Sequence, residues 1–212
     1  MKRILCYGDS NTWGTESDGS FKHCKLIEAY PSILQTILGS SYCVISEGMP
    51  SRTTCCDDIS LVKGNRNGKE FFVQCLISHQ PIDYVVLFLG TNDLKTKFNK
   101  TAVDVANSLK KDYILFTKNV LSKEKEISKV PQFIVVCPPV IKANAIDDYD
   151  ELSSKKSLDF DKEISKVVQK CGCGYVSNEK LVVGEDGIHL MKASHNYLAK
   201  KLAKIIRGKN EL

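Results

Sequence analysis

No stretch of this 212-residue chain reaches the roughly 18 consecutive apolar residues that a membrane-crossing helix needs. The apolar run behind Met1, Lys2 and Arg3 is only Ile4-Leu5-Cys6-Tyr7, far too short for the core of a signal peptide. A cytoplasmic protein with no membrane partner is therefore expected. A concentrated basic stripe interleaved with aromatics is also missing. The formal net charge is +5, and lysines such as Lys110, Lys111, Lys155 and Lys156 are dispersed with acids nearby, which argues against a nucleic-acid partner. Neither the phosphate-cradling G-x-x-x-x-G-K-[ST] pattern nor the dinucleotide G-x-G-x-x-G pattern occurs. The nine cysteines contain no C-x-x-C pair, since Cys55-Cys56 and Cys171-x-Cys173 have other spacings. Their odd number, with Cys6 and Cys137 inside apolar runs, excludes a secreted disulfide framework and predicts reduced thiols and no metal.

What is present is an ordinary globular composition, 42% hydrophobic and 26% charged. The length suits one domain spanning residues 1–212. Strand-like and helix-like segments alternate. Ile4 to Tyr7, Tyr42 to Ile45, Tyr84 to Leu89, Gln132 to Cys137 and Gly174 to Ser177 read as strands, the third apolar throughout as a central parallel strand should be. Leu26 to Leu38, the segment from Phe71 towards Pro81, Thr101 to Leu121, Leu152 to Lys170 and Lys192 to Arg207 read as helices, with Gly39 a C-terminal stop for the first. Such alternation predicts right-handed crossovers and an α/β fold in three layers, a five-stranded parallel sheet between helices.

Ligands of open parallel sheets bind beyond the carboxyl ends of the strands. Gly8-Asp9-Ser10-Asn11, Gly48 and Gly90-Thr91-Asn92-Asp93 follow the first three strands, and Asp186-Gly187-Ile188-His189 precedes the last helix. Together these segments suit acyl transfer. Ser10 sits on a tight turn and needs a base to become a nucleophile. His189 can be that base, with Asp186 holding its tautomer. The N–H groups of Ser10 and Gly48 and the Asn92 amide can hold the oxyanion. Each residue has a plainer alternative. Ser10 alone could be a helix N-cap, Asn92 a turn residue, and Gly48 a requirement of the backbone. Asp9 and Asp93 read as structural. His195 reads as a surface or packing residue and His79 as the end of a helix. Trp13 either lines the acyl pocket or packs under the first loop. Arg52 either meets an anionic substrate group or fixes its loop by a salt bridge.

The four blocks, in this order from near Met1 to the last helix, resemble the SGNH (GDSL-type) hydrolase superfamily. The fragments Gly8-Asp9-Ser10-Asn11-Thr12-Trp13-Gly14, Glu47-Gly48 with Arg52-Thr53-Thr54, and Leu89 to Lys95 are most similar to its bacterial arylesterase and acyltransferase-like members. Two departures are Asn11, where leucine is common, and Pro50 after Gly48; neither is expected to touch the catalytic roles. The resemblance implies a flavodoxin-like sheet, no cofactor, a homo-oligomer, and hydrolysis or transfer of short acyl groups from a small-molecule ester. A lysophospholipase, a thioesterase or a carbohydrate deacetylase would use the same site. An inactive flavodoxin-like binding protein would keep the fold alone.

Overall fold

The computed structural model describes residues 1–146 and 148–208. Its centre is a five-stranded parallel sheet in the order β2-β1-β5-β6-β7, formed by β1 (Lys2–Gly8), β2 (Tyr42–Gly48), β5 (Tyr84–Phe88), β6 (Gln132–Val136) and β7 (Gly174–Val176). The middle strands are buried on both faces, and their alternation assigns each side chain to one of two cores. Leu5, Tyr7, Val85, Leu87, Phe133 and Val135 point to one side. Ile4, Cys6, Val86, Phe88, Ile134 and Val136 point to the other. Each fully buried side chain of this size contributes roughly 1.5–3 kcal/mol relative to leaving it exposed.

Helices cover both faces. The first core is closed by Phe72 and Leu76 of α3 (Gly68–Ser78), Val105 of α4 (Ala102–Ser108) and Phe160, Ile164 and Val168 of α7 (Phe160–Cys171). The second is closed by Tyr30, Leu34 and Leu38 of α2 (Tyr30–Leu38) and Leu198, Leu202 and Ile206 of α8 (Lys192–Arg207).

Several boundaries differ from the sequence expectation for identifiable reasons. The segment expected as one helix from Leu26 divides into a 3-10 turn, Leu26–Glu28, and α2, whose first turn holds Pro31, a residue with no amide hydrogen to give a helix interior. The segment from Thr101 begins as expected, with Thr101 and Asp104 forming a capping box. It then widens into a π-helix over Leu109–Leu115 before α5 (Phe116–Asn119). The helix expected over Leu152 to Lys170 is two, α6 (Glu151–Ser157) and α7. β2 runs on past Ile45, pairing residue for residue with β1 until Gly8 meets Gly48. A small antiparallel hairpin, β3 (Ile59–Ser60) and β4 (Gly64–Asn65), lies outside the main sheet and was not anticipated. All nine cysteines are free thiols, and burial pushes Cys6 and Cys137 each up to about 12, as befits small core residues. No described helix is long and apolar enough to cross a membrane.

Candidate active site

The turn after β1 is a single-turn helix, α1 (Ser10–Trp13), and its N-cap is Asp9, whose carboxylate accepts the Asn11 N–H at 2.9 Å. The capping role that Ser10 alone might have filled thus belongs to its neighbour. Two glycines let this turn settle on the end of the sheet. A Cβ on Gly8 would stand 2.0 Å from Thr12 Oγ1, and one on Gly48 would stand 2.1 Å from the Trp13 nitrogen. Gly48 therefore has a steric requirement besides any role for its N–H.

The segment before α8 curls back over this turn, with Gly187 at a φ of 81°. Asp186 Oδ1 accepts the N–H groups of Ile188 and His189 at 3.0 and 2.9 Å. Its Oδ2 lies 2.7 Å from His189 Nδ1, and His189 Nε2 lies 2.9 Å from Ser10 Oγ. A carboxylate only accepts, so Nδ1 carries the proton and Nε2 faces the serine hydroxyl as an acceptor. Burial works to raise the Asp186 pKa, but the His189 ring and the two backbone donors outweigh it and hold the carboxyl below its ordinary range. All three residues are buried, and Ser10 is the most open at 8%.

Asn11 brackets the histidine. Its Nδ2 donates to the Ile188 carbonyl at 3.2 Å and its Oδ1 accepts the Leu190 N–H at 2.8 Å. The sequence reading gave it no part in the site. Nothing local announces that role, because the partners lie 177 and 179 residues away.

Asn92 follows β5 in a 3-10 turn that starts after Gly90, whose φ is 135°. Its Nδ2 donates to the Arg52 carbonyl at 3.2 Å, and its Oδ1 lies 3.2 Å from the Tyr149 hydroxyl. That pattern fixes which way the amide points and leaves a second Nδ2 hydrogen. Asp93 is structural, as expected, accepting the Thr54 N–H and, at 2.6 Å, the Thr54 hydroxyl. Burial nevertheless pushes it up to about 7. It also brings Cys55, Cys56 and Asp93 together, with donor atoms within 4.8 Å of one another. Spacing alone concealed this group, whose Asp93 oxygens are already committed to Thr54.

Arg52 is corrected by the structure. Among the described residues it does not line the cavity and forms no salt bridge. Its Nη1 donates to the Gly8 carbonyl at 2.9 Å and to that of Glu47, and its guanidinium stacks on the Tyr7 ring at 4.1 Å. It is a buried brace between β1 and β2. Trp13 lines the cavity and packs edge-on against His23, with ring centroids 4.3 Å apart.

The family model of the GDSL-like Lipase/Acylhydrolase family matches residues 6–197. The chain belongs to that family. No curated protein matches it significantly in sequence. Among solved structures it is similar to a carbohydrate acetylesterase family member from Sinorhizobium meliloti, with 27% identity, 98% of each chain covered and a TM-score of 0.87. It is also similar to the aryl esterase of M. smegmatis, with 28% identity, 98% of this chain and 99% of the other covered, and a TM-score of 0.81.

In this SGNH hydrolase a cavity of about 480 Å³ opens above the serine, with Ser10, Asn92 and His189 on its floor. Trp13, Phe21 and Pro50 form part of its walls, and Phe21 stands edge-on to the His189 ring with centroids 6.4 Å apart. Gly48 is not among the lining residues; it sits beneath Trp13. Phe21 and Tyr149 were missed in the sequence because each comes from an irregular loop with no motif. The other histidines stay out of the crevice floor. His79 caps the end of α3 and pairs with Glu47 at 2.8 Å, while His195 is buried against Tyr30.

Proposed function

We propose that this SGNH hydrolase is a serine esterase that removes short acyl groups through an acyl-serine intermediate, acting as one domain. The observation that carries the reading is the unbroken hydrogen-bonded chain Asp186 Oδ2, His189 Nδ1, His189 Nε2, Ser10 Oγ, with links of 2.7 and 2.9 Å. In the first step His189 Nε2 takes the Ser10 proton as Oγ attacks the ester carbonyl. Asp186 stabilises the imidazolium that forms. The oxyanion is held by the Ser10 N–H and the Asn92 side chain, both of cavity-lining residues, with the N–H of Gly48, set back beneath Trp13, as the third donor. The imidazolium then protonates the leaving alcohol, and water or another alcohol attacks the acyl-serine by the same steps in reverse.

A short acyl group suits a cavity whose walls mix Trp13, Phe21 and Ile188 with Thr15, Ser51 and charged side chains. A long alkyl chain would leave those polar groups without water. The similar structure named as a carbohydrate acetylesterase favours a small acyl group too. Free thiols throughout favour a reducing, cytoplasmic setting. The test is hydrolysis of p-nitrophenyl esters from acetate to decanoate, wild type beside Ser10→Ala. Turnover should be greatest with acetate or butyrate and vanish in the variant, which should fold normally. Retained activity without the hydroxyl would exclude Ser10 as nucleophile.

A further inference from the structure

The cavity above Ser10 is ringed by cations drawn from two separate loops. Lys63 and Arg66 come from the β3–β4 hairpin and its exit, Lys95 from the end of the 3-10 turn Thr91–Leu94, and Lys97 from the next one, Thr96–Phe98. Among the described residues that line the cavity, Lys63, Arg66, Lys95 and Lys97 are basic and Asp148 is acidic. Two described carboxylates, Asp58 and Asp148, pair with them. Arg66 and Lys97 share one oxygen of Asp58, at 2.5 and 2.7 Å, while its other oxygen has no partner. Asp148, half exposed, stands 3.6 Å from Lys97 and 3.9 Å from Lys95. Lys63 has no ion-pair partner among the described residues.

Elsewhere on the surface the ion pairs are one lysine to one carboxylate within a helix, as Lys155 with Glu151, or across elements, as Lys192 with Glu28 and Lys129 with Asp83. Converging like charges on a half-enclosed cavity costs stability through mutual repulsion. A cleft lined by one sign of charge, with low-dielectric walls, focuses its field outward and concentrates counter-charged solutes. We propose that the ester this enzyme takes carries an anionic group, a carboxylate or phosphate, which the Lys63, Arg66, Lys95 and Lys97 ring holds away from the scissile bond. The proposal rests on the serine-esterase reading and adds to it the class of substrate.

The anion can sit on either side of the ester, and two matched pairs separate the cases. 4-Acetoxybenzoate against 4-acetoxybenzamide places it on the alcohol. p-Nitrophenyl monoadipate against p-nitrophenyl hexanoate places it on the acyl group. Each kcat/KM is divided by the uncatalysed hydrolysis rate of the same ester. At about 20 mM salt, where screening is weak, one pair should favour the anion by about tenfold or more, and about 0.5 M salt should erode most of that preference. Lys63→Ala and Lys97→Ala should each lower the anionic-to-neutral ratio by about threefold to fivefold, the upper range for exposed charge pairs. Lys63 is exposed on the hairpin, so its variant should fold even if the Asp58 cluster does not tolerate change at Lys97. Ratios near one in both pairs, or a preference unmoved by either variant and by salt, would overturn the proposal while leaving the esterase reading intact. Absence of Ser10-dependent hydrolysis of all four esters would overturn both.

Discussion

Two short regions, six residues apart in sequence, each bury a histidine to 3% exposure, and they make opposite use of it. In the turn before α8, His189 has a carboxylate on one nitrogen and the Ser10 hydroxyl on the other. In the first turns of α8, His195 stacks on Tyr30, with ring centroids 6.4 Å apart, and its Nδ1 accepts the Tyr30 N–H at 3.3 Å. No carboxylate accompanies it in those contacts. Burial, with the nearby His189 adding to it, holds the His195 pKa down to about 4, so this ring is kept neutral. Burial alone therefore makes a packing group. The proposed base differs from it in having a carboxylate on its far nitrogen.

The sharpest way to break the contrast is to make the first region like the second. Asp186→Asn keeps the shape of the turn but replaces the acceptor at Nδ1 with a group that can donate, and favours the wrong tautomer. The expected loss in kcat is about 10⁴-fold, with little change in KM. Stopped assays with a short p-nitrophenyl ester would check it. A loss of less than about tenfold would mean that His189 is not working through Asp186.

Next in size is Asn92→Ala. It removes a donor from the crevice floor without touching either histidine, so it tests whether the floor contributes more than the base. Removal of one oxyanion donor costs about 10²–10³ in kcat. A rise in KM alone would instead assign Asn92 to ground-state binding. The Tyr149 hydroxyl, which holds the amide orientation, should give a smaller effect of the same kind when changed to phenylalanine.

The contrast between the two histidines also shows what could be read from the chain. Ser10, Asn92 and the Asp186–His189 pair were legible because each lies in a short block at a strand end or a helix start. Topology alone then brings such ends together. His189 was separable from His195 because only it has an aspartate three residues earlier. Arg52 was not legible, since its partners are the backbone carbonyls of Gly8 and Glu47, and a carbonyl leaves no mark in a sequence. The cationic ring failed for a related reason, as Lys63, Arg66, Lys95 and Lys97 meet only once the hairpin folds over the Asn92 turn. Element existence followed from periodicity, whereas the π-helical stretch over Leu109–Leu115 has the same apolar spacing as an ordinary helix at the resolution of a pattern.

The second region makes its own prediction, in stability rather than rate. The folded His195 pKa of about 4 lies below the ordinary 6.5, so the unfolded chain binds its proton first as pH falls. The sign follows: this residue's contribution is fully present above pH of about 6.5 and is lost as pH falls towards about 4. The amount is about 3 kcal/mol. Urea unfolding of the wild type and of His195→Gln across that range should converge in slope elsewhere and differ there, the variant being flatter. Ester turnover at pH 8 should barely change, because this ring does not reach Ser10. An equal fall in both proteins would place the acid sensitivity in other groups.

The smallest expected effect lies between the two regions and asks whether position as well as partnership matters. Asn11 holds the backbone on both sides of His189, through the Ile188 carbonyl and the Leu190 N–H. Asn11→Leu would leave that buried donor and acceptor unsatisfied, at about 1–3 kcal/mol for each group that no water reaches. The Asp186–His189 bond would survive, since Asp186 Oδ1 still anchors the turn through two N–H groups. The link that should loosen is the 2.9 Å approach of Nε2 to Ser10 Oγ, because Asn11 ties the histidine segment to the turn that carries Ser10. Activity should fall about tenfold in kcat with KM nearly constant. A general loss of stability with unchanged kcat in the folded fraction would mean that Asn11 only staples the fold. Rescue by Asn11→Asp would not be expected, as a carboxylate can accept from Leu190 but cannot donate to Ile188. That asymmetry separates a residue positioning His189 from one that merely fills the space beneath it.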